Sequence, residues 1–341
     1  MTASASGWSS GVAGSITHTA AWCGGRTDPG EAMRRAVGTT VAGALASLAL
    51  VAPAAATYSG ENGLISWSTS RGYSDGSSAI WGTHAFGGEH RRLTSHTDNA
   101  SGDAPSDTDA SWEADGRSFA FTRSFGIGPR LFVKTLGESR ARMIPLGAMA
   151  AEQPAFAPDG HRVAFVRVGP SDDELGRGPL SVMVARVDGT HVRRLAGGTG
   201  PVWTPDGRRI VFEGARDGRA RLISIRPDGS HKHVFPKRCA GAASPSFAPD
   251  GRSMATVYSP HEGGPYRIWT MGLSCRHKRQ ITFSRPTLTP AWSPDGRWIA
   301  YYAPSKTHRR EGLYVVRADG TGQRLVRDED GGFDLDWQPR P

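Results

Sequence analysis

A ring of repeated four-stranded antiparallel sheets, all β, is predicted by three features of this sequence: a phrase that recurs in phase, the spacing of its aromatic residue, and chain ends that complete one another. The phrase reads PAWSPDGRWIAYY at residues 290–302. It recurs as PAFAPDGHRVAFVR from Pro154, PVWTPDGRRIVFEG from Pro201, PSFAPDGRSMATVY from Pro245 and, degraded, ASWEADGRSFAFTR from Ala110. Its aromatics Trp112, Phe156, Trp203, Phe247, Trp292 and Trp337 stand 44 to 47 residues apart, which is room for four short strands. Such a period with four strands per unit describes a blade of a β-propeller.

Residues 1–32, rich in Gly, Ser, Thr and Ala, precede a second methionine, Met33, and read as a disordered extension or a misassigned start. Their GWSSG at residues 7–11 matches the pattern of a nucleophile elbow, but without the strand-to-helix setting that chemistry needs. Residues 33–56, MRRAVGTTVAGALASLALVAPAAA, carry Arg34 and Arg35, then an uncharged run, then Ala54 to Ala56. This is the pattern of a signal peptide cut before Thr57. The uncharged run is short for a spanning helix and broken by Gly, Thr and Ser, so no transmembrane span is expected after cleavage; the alternative reading is an uncleaved anchor. The mature domain is then residues 57–341.

Within each unit the phrase makes a hairpin. Proline presets φ at the first central position of the turn, aspartate accepts from the turn's own backbone, and glycine takes the left-handed exit. About midway comes a second turn with an outer strand, as in DGTHVRRL from Asp188, DGSHKHVF from Asp228 and DGTGQRLV from Asp319. This outer signal occurs six times, the complete first hairpin five times. The sixth hairpin is split: DWQPRP at the C-terminus matches AWSPDG as far as Pro339, and ENGLISWSTS from Glu61 resumes the pattern with Asn62 at the glycine position. Six blades are therefore expected, with the C-terminal strand innermost in the first blade, which leaves no open sheet edge.

The chain holds 41 Lys+Arg against 32 Asp+Glu, net +9. Such charge suits acidic surfaces or polymers; nucleic acid is not an expected partner after export. Of three cysteines, Cys23 precedes the cleavage site. An even pair in an oxidising compartment suggests a disulfide, but the repeat register argues against it. Cys239 falls in the loop leaving an outer strand and Cys275 in a third-to-fourth-strand turn, on opposite faces separated by the roughly 17–20 Å of a strand of ordinary length.

PAWSPDG, PAFAPDG, PVWTPDG and PSFAPDG, each followed by a strand such as RWIAYY and later by ADGTGQRLV, resemble the WD40-like Pro-Asp (PD40) repeat of the TolB-like propellers, over residues 61–339. The resemblance implies a six-bladed propeller. For function it implies less, because such blades serve the TolB protein of the Tol-Pal envelope system, prolyl-oligopeptidase-like peptidases and some polysaccharide lyases. The span from Thr57 to Glu61 has no room for the N-terminal α/β domain of TolB, and no hydrolase domain follows the repeats, so a bare propeller is expected.

The first-to-second and third-to-fourth turns share one face and are short. The other face carries loops of variable length, from Ser95, Val168, Ala303 and Arg327, and function on a rigid scaffold usually resides in such loops. They gather Asp98, Asp103, Asp107, Asp109, Asp172, Asp173, Glu174, Asp328, Glu329, Asp330 and Asp334, whereas turns and outer strands carry Arg193, Arg208, Arg209, Lys232, Arg276 and Arg279. One reading is an acidic mouth for a cation or a basic partner segment, with a basic flank towards anionic wall polymer; the other is ordinary solvated loop charge. RDEDGG from Arg327 lacks the spacing of a calcium loop, and His231 with His233 lacks a third ligand. His84, His96, His261 and His308 are scattered. No catalytic residue and no cofactor is assigned, beyond a divalent cation that the channel mouth could admit. The expectation is an exported, monomeric, non-enzymatic propeller that recognises protein or polymer in the cell envelope or outside it. The alternatives are a carbohydrate-active, lyase-like propeller and a scaffold for a separate catalytic chain.

Overall fold

The computed structural model describes residues 57–70, 77–88, 90–95, 105–125, 128–170, 178–216, 219–261, 264–283, 286–304, 311–329 and 333–341. The leader and the extension before it lie outside these residues. The first blade holds β1 (Glu61–Thr69), β2 (Ala79–His84) and β3 (Arg91–Arg92); the second β4 (Ser106–Trp112), β5 (Ser118–Phe125), β6 (Gly128–Thr135) and β7 (Arg142–Met143). The third holds β8 (Ala150–Phe156), β9 (Arg162–Val168), β10 (Leu180–Arg186) and β11 (Arg193–Gly197); the fourth β12 (Thr199–Trp203), β13 (Ile210–Arg216), β14 (Arg219–Ile225) and β15 (His233–Val234). The fifth holds β16 (Ala242–Phe247), β17 (Ser253–Tyr258), β18 (Arg267–Gly272) and β19 (Arg279–Gln280); the sixth β20 (Leu288–Trp292), β21 (Trp298–Ala303), β22 (Gly312–Arg317) and β23 (Arg324–Asp328). The last strand, β24 (Phe333–Arg340), pairs antiparallel with β1, placing Trp337 opposite Ile65 and Arg340 opposite Glu61. The result is six sheets of four strands each, the first ordered β24-β1-β2-β3.

The turn chemistry is as the residue types dictate. In the first hairpins Gly160, Gly207, Gly251 and Gly296 sit at φ between 65° and 71°. Asp159, Asp206, Asp250 and Asp295 each accept from the backbone N–H two residues on, at 2.9–3.0 Å. In the second hairpins Asp188, Asp228 and Asp319 do the same for Thr190, Ser230 and Thr321.

The core is divided among the seams between blades. Each aromatic of the repeat fills the seam with the preceding blade: Trp203 packs with Ala155, Val182 and Val184 of blade three, Phe247 with Val202 and Leu222 of blade four, and Trp337 with Tyr302 and Val315 of blade six. Burying a side chain of this size is worth several kcal/mol, which is why one aromatic per period recurs in phase. The seams are also stitched by hydrogen bonds. The residue before the aromatic accepts from the next blade's aromatic N–H: Phe156 donates to Ser111 Oγ at 3.0 Å, Trp292 to Ser246 Oγ at 2.9 Å and Trp112 to Asp336 Oδ2 at 2.7 Å.

Cys239 and Cys275 form a disulfide, with Cα atoms 5.4 Å apart, contrary to the expectation from strand length. The outermost strand β15 has only two residues, shorter than the strand of ordinary length expected, so the chain leaves it partway along the blade's edge. The 3₁₀ turn Lys237–Cys239 then carries it along the flank of blade five, where Arg238 Nε donates to Ser274 O at 2.6 Å and Lys278 Nζ to Arg238 O at 2.6 Å. Both cysteines are buried in the seam between blades four and five.

Candidate functional site

Every innermost strand carries a bulge at the same phase. Pairing with the second strand slips between Thr108 and Ser111, Glu152 and Ala155, Thr199 and Val202, Ala243 and Ser246, and Leu288 and Ala291. In blade one the slip falls between Phe333 and Asp336. Inside each bulge one residue turns left-handed: Asp109, Gln153, Gly200, Ser244, Thr289 and Asp334, with φ between 48° and 65°. Each stands three residues before its aromatic and one to three residues after its strand begins, so the six form a ring just inside the variable-loop face. For the five non-glycines this backbone costs about 1–2 kcal/mol apiece.

Hydrogen bonds between blades hold that conformation. Asp109 N–H donates to Asp334 Oδ2 at 3.2 Å, Gln153 N–H to Asp109 Oδ2 at 3.3 Å and Gly200 N–H to Gln153 Oε1 at 3.0 Å. Gly200 has no side chain to continue the relay. Glu213, on β13, takes its place and accepts from Ser244 N–H at 2.7 Å. The hydroxyls of Ser244 and Thr289 are buried without a hydrogen-bond partner among the described residues.

The charge of the ring is concentrated where blades one and two meet. The carboxyls of Asp334 and Asp109 are hydrogen-bonded to each other. Burial first, and then the Asp109 charge, pushes Asp334 well above the carboxylate range; burial also raises Asp109, against hydrogen bonds from Thr122 and the Gln153 N–H. The pair therefore keeps a proton that either carboxyl alone would lose in water. Two further acids lie close in the relay and the seam: burial lifts Glu213 to about 7 and Asp336 to about 8. At the other end of the axis, Thr57 Oγ1 donates to Trp292 O of blade six at 3.0 Å while Tyr58 Oη donates to Phe156 O of blade three. Those blades are opposite in a ring of six, so the segment crosses the axis at the turn face.

Of the acids singled out in the sequence, Asp109 and Asp334 are thus brought together. Asp107 is not on open loop surface: it is buried in an ion pair with Arg123, at 2.6 and 2.8 Å, because its strand residue points into the seam. Asp328 ends β23 on the outer edge of blade six and is exposed. Asp98, Asp103, Asp172, Asp173, Glu174 and Asp330 lie outside the described residues. Gln153, Glu213, Ser244, Thr289 and Asp336 were not singled out, although the offset was legible as DASW, QPAF, GPVW, SPSF, TPAW and DLDW. Chemically the ring offers oxygen acceptors around a protonatable carboxyl pair, suited to an ammonium or guanidinium group. Among the described residues no three His, Cys, Asp or Glu side chains are grouped to hold a metal ion, and the six innermost strands contain no histidine.

The TolB β-propeller domain (PD40) description matches residues 111–339. The chain belongs to the TolB β-propeller family. A TolB homolog of Chlorobium luteolum is 32% identical over 173 residues, covering 50% of this chain and 37% of that protein. The Tol-Pal system protein TolB of Francisella tularensis is 21% identical over 239 residues, covering 67% of this chain and 54% of its own length. The chain thus spans about half or less of the length of these curated relatives. Among solved structures, TolB from Acinetobacter baumannii superposes with a TM-score of 0.67 at 17% identity, over 82% of this chain and 67% of that one, which shows the same fold. Among the described residues of this TolB-family propeller, no helix is long and apolar enough to cross a membrane.

Proposed function

We propose that this chain is an exported recognition module of the cell envelope, which holds a basic segment of a protein partner at the mouth of its channel. The observation that carries the reading is the Asp109–Asp334 pair: two hydrogen-bonded carboxyls in a ring of acceptors, a few residues inside the variable-loop face. A cationic side chain entering there would draw off the shared proton and meet two negative charges at short range in a low-dielectric setting, where such contacts are strongest. Family membership supports an envelope setting, since one relative is named as a protein of the Tol-Pal system, and so does the leader pattern of residues 33–56. A divalent cation is a second occupant that the same acceptors could attract.

The test is a calorimetric titration of the purified protein with a hexalysine peptide. The D109N/D334N variant keeps side chains of the same shape that still accept the bonds from Gln153 and Asp109 N–H. It should bind at least tenfold more weakly, whereas D188N/D319N, which removes at least as much negative charge from exposed turns, should bind as the parent does. Equal affinity in all three proteins would remove the basis of the proposal.

A further inference from the structure

A groove of about 440 Å³ runs between blades three and four on the turn face, lined by Arg162, Arg208, Arg209, Arg226 and Asp228. We infer that this groove is a binding site for the phosphodiester groups of an anionic envelope polymer. The extracytoplasmic reading supplies only the source of that polymer; the site itself stands on the arginines.

Two of the guanidiniums are fixed in place. Arg162 lies 4.8 Å over the Trp203 ring and is held by Asp159 through Nε and Nη2, at 2.8 and 2.7 Å, which leaves Nη1 to donate. Arg209 donates through Nη1 to Ser224 Oγ and His231 O, at 3.2 and 3.0 Å. Those bonds occupy part of each fork and leave other N–H groups to donate. The remaining two are available: the Arg208 side chain is 85% exposed with only a 3.9 Å contact to Asp206, and Arg226, also exposed, uses its backbone, not its guanidinium, to close the turn with Ser230 O. Planar forks of this kind match phosphate oxygens two at a time.

The repeat shows that the fold does not require this arrangement. The four positions recur in phase at three other seams. Between blades two and three they hold Ser118, His161, Arg162 and Arg186; between four and five, Arg209, Arg252, Ser253 and Gly272; between five and six, Ser253, Arg297, Trp298 and Arg317. Serine, histidine, tryptophan and glycine all satisfy the packing. Arginine at all four positions occurs at one seam, where Asp159, Asp206 and Asp228 offset part of the charge and the exposed guanidiniums keep donors facing the groove.

The experiment measures binding of a poly(glycerol phosphate) oligomer to the full purified chain at low salt, with inorganic polyphosphate and neutral dextran as comparators. R208S/R226S removes the two exposed guanidiniums and should leave the melting temperature close to the parent's. It should weaken the diester polymer at least tenfold and flatten the dependence of log affinity on log salt by about one to two units, as expected for two lost phosphate contacts. R219S/R221S, with equal charge removed from the far end of the same blade, should bind as the parent does, and so should D109N/D334N, which separates this site from the channel mouth. Three results would each overturn the inference: no diester binding by the parent protein, equal losses in R208S/R226S and R219S/R221S, or binding of polyphosphate alone.

Discussion

Glu213 stands in for the side chain that Gly200 lacks, and it does so as a buried acid. Its ordinary value of 4.5 is lifted by burial to about 7, and that of Asp336 from 3.8 to about 8. The folded chain therefore holds protons that the unfolded chain releases, so stability from these two groups is complete below about pH 4 and is lost as pH rises through 7 to 8. Urea unfolding of the parent protein should show a loss on the order of a few kcal/mol between about pH 5 and about pH 8. In E213Q, which keeps the oxygen that accepts from Ser244, the loss should be smaller. Equal losses in the two proteins would mean that Glu213 is ionised in the fold. Gly116 is a second residue whose role is local: at φ 66° a Cβ there would lie 1.8 Å from Pro339 O, whereas at Gly251, φ 65°, the nearest atom is 4.0 Å away. G251A should thus cost only the left-handed backbone, about 1–2 kcal/mol, and G116A clearly more, read from urea midpoints.

Among the elements, β24 and the disulfide close what the blade seams leave open. The end of β24 ties blade one to blade two: Gln338 Oε1 accepts from Leu64 N–H at 2.9 Å, its Nε2 donates to Gly116 O at 2.6 Å, and Asp336 accepts from Trp112. Trp337→Ala should cost about 3–5 kcal/mol, seen as a lower melting temperature; an unchanged one would contradict the ring closure. The Cys239–Cys275 bridge, across a separation of 36 residues, should contribute between about 3 and 5 kcal/mol by restricting the unfolded chain. The double alanine variant should melt several degrees lower in non-reducing buffer, and no lower than the parent protein in reductant. The blades were legible in the sequence because their causes are local: Pro presets a turn, Asp accepts two residues on, Gly exits left-handed. The bridge was not legible, since it depends on β15 being two residues long, a length set by packing of the flank. Nor was the ring, whose hydrogen bonds join residues a whole blade apart. The offset was written in QPAF and DLDW, but no local rule says that this position turns left-handed.

At the scale of the molecule the two ends of the axis differ. Thr57 and Tyr58 cross the turn-face end, and the carboxyl pair sits inside the other. Arginines collect on the turn-face flank between blades three and four. The proposed basic-segment site and the proposed anion groove therefore lie apart, one inside the end of the axis and the other on the flank. The measurement that tests the first of these most directly is hexalysine affinity across pH, because the lysines stay charged while the Asp109–Asp334 pair releases its proton. Affinity should strengthen in the parent protein as pH is raised and the pair gives up its proton, and should stay weak with a smaller rise in D109N/D334N, where only neighbouring acids such as Glu213 still titrate. An affinity that does not change with pH, and is the same in both proteins, would contradict the placement of the site at the channel mouth.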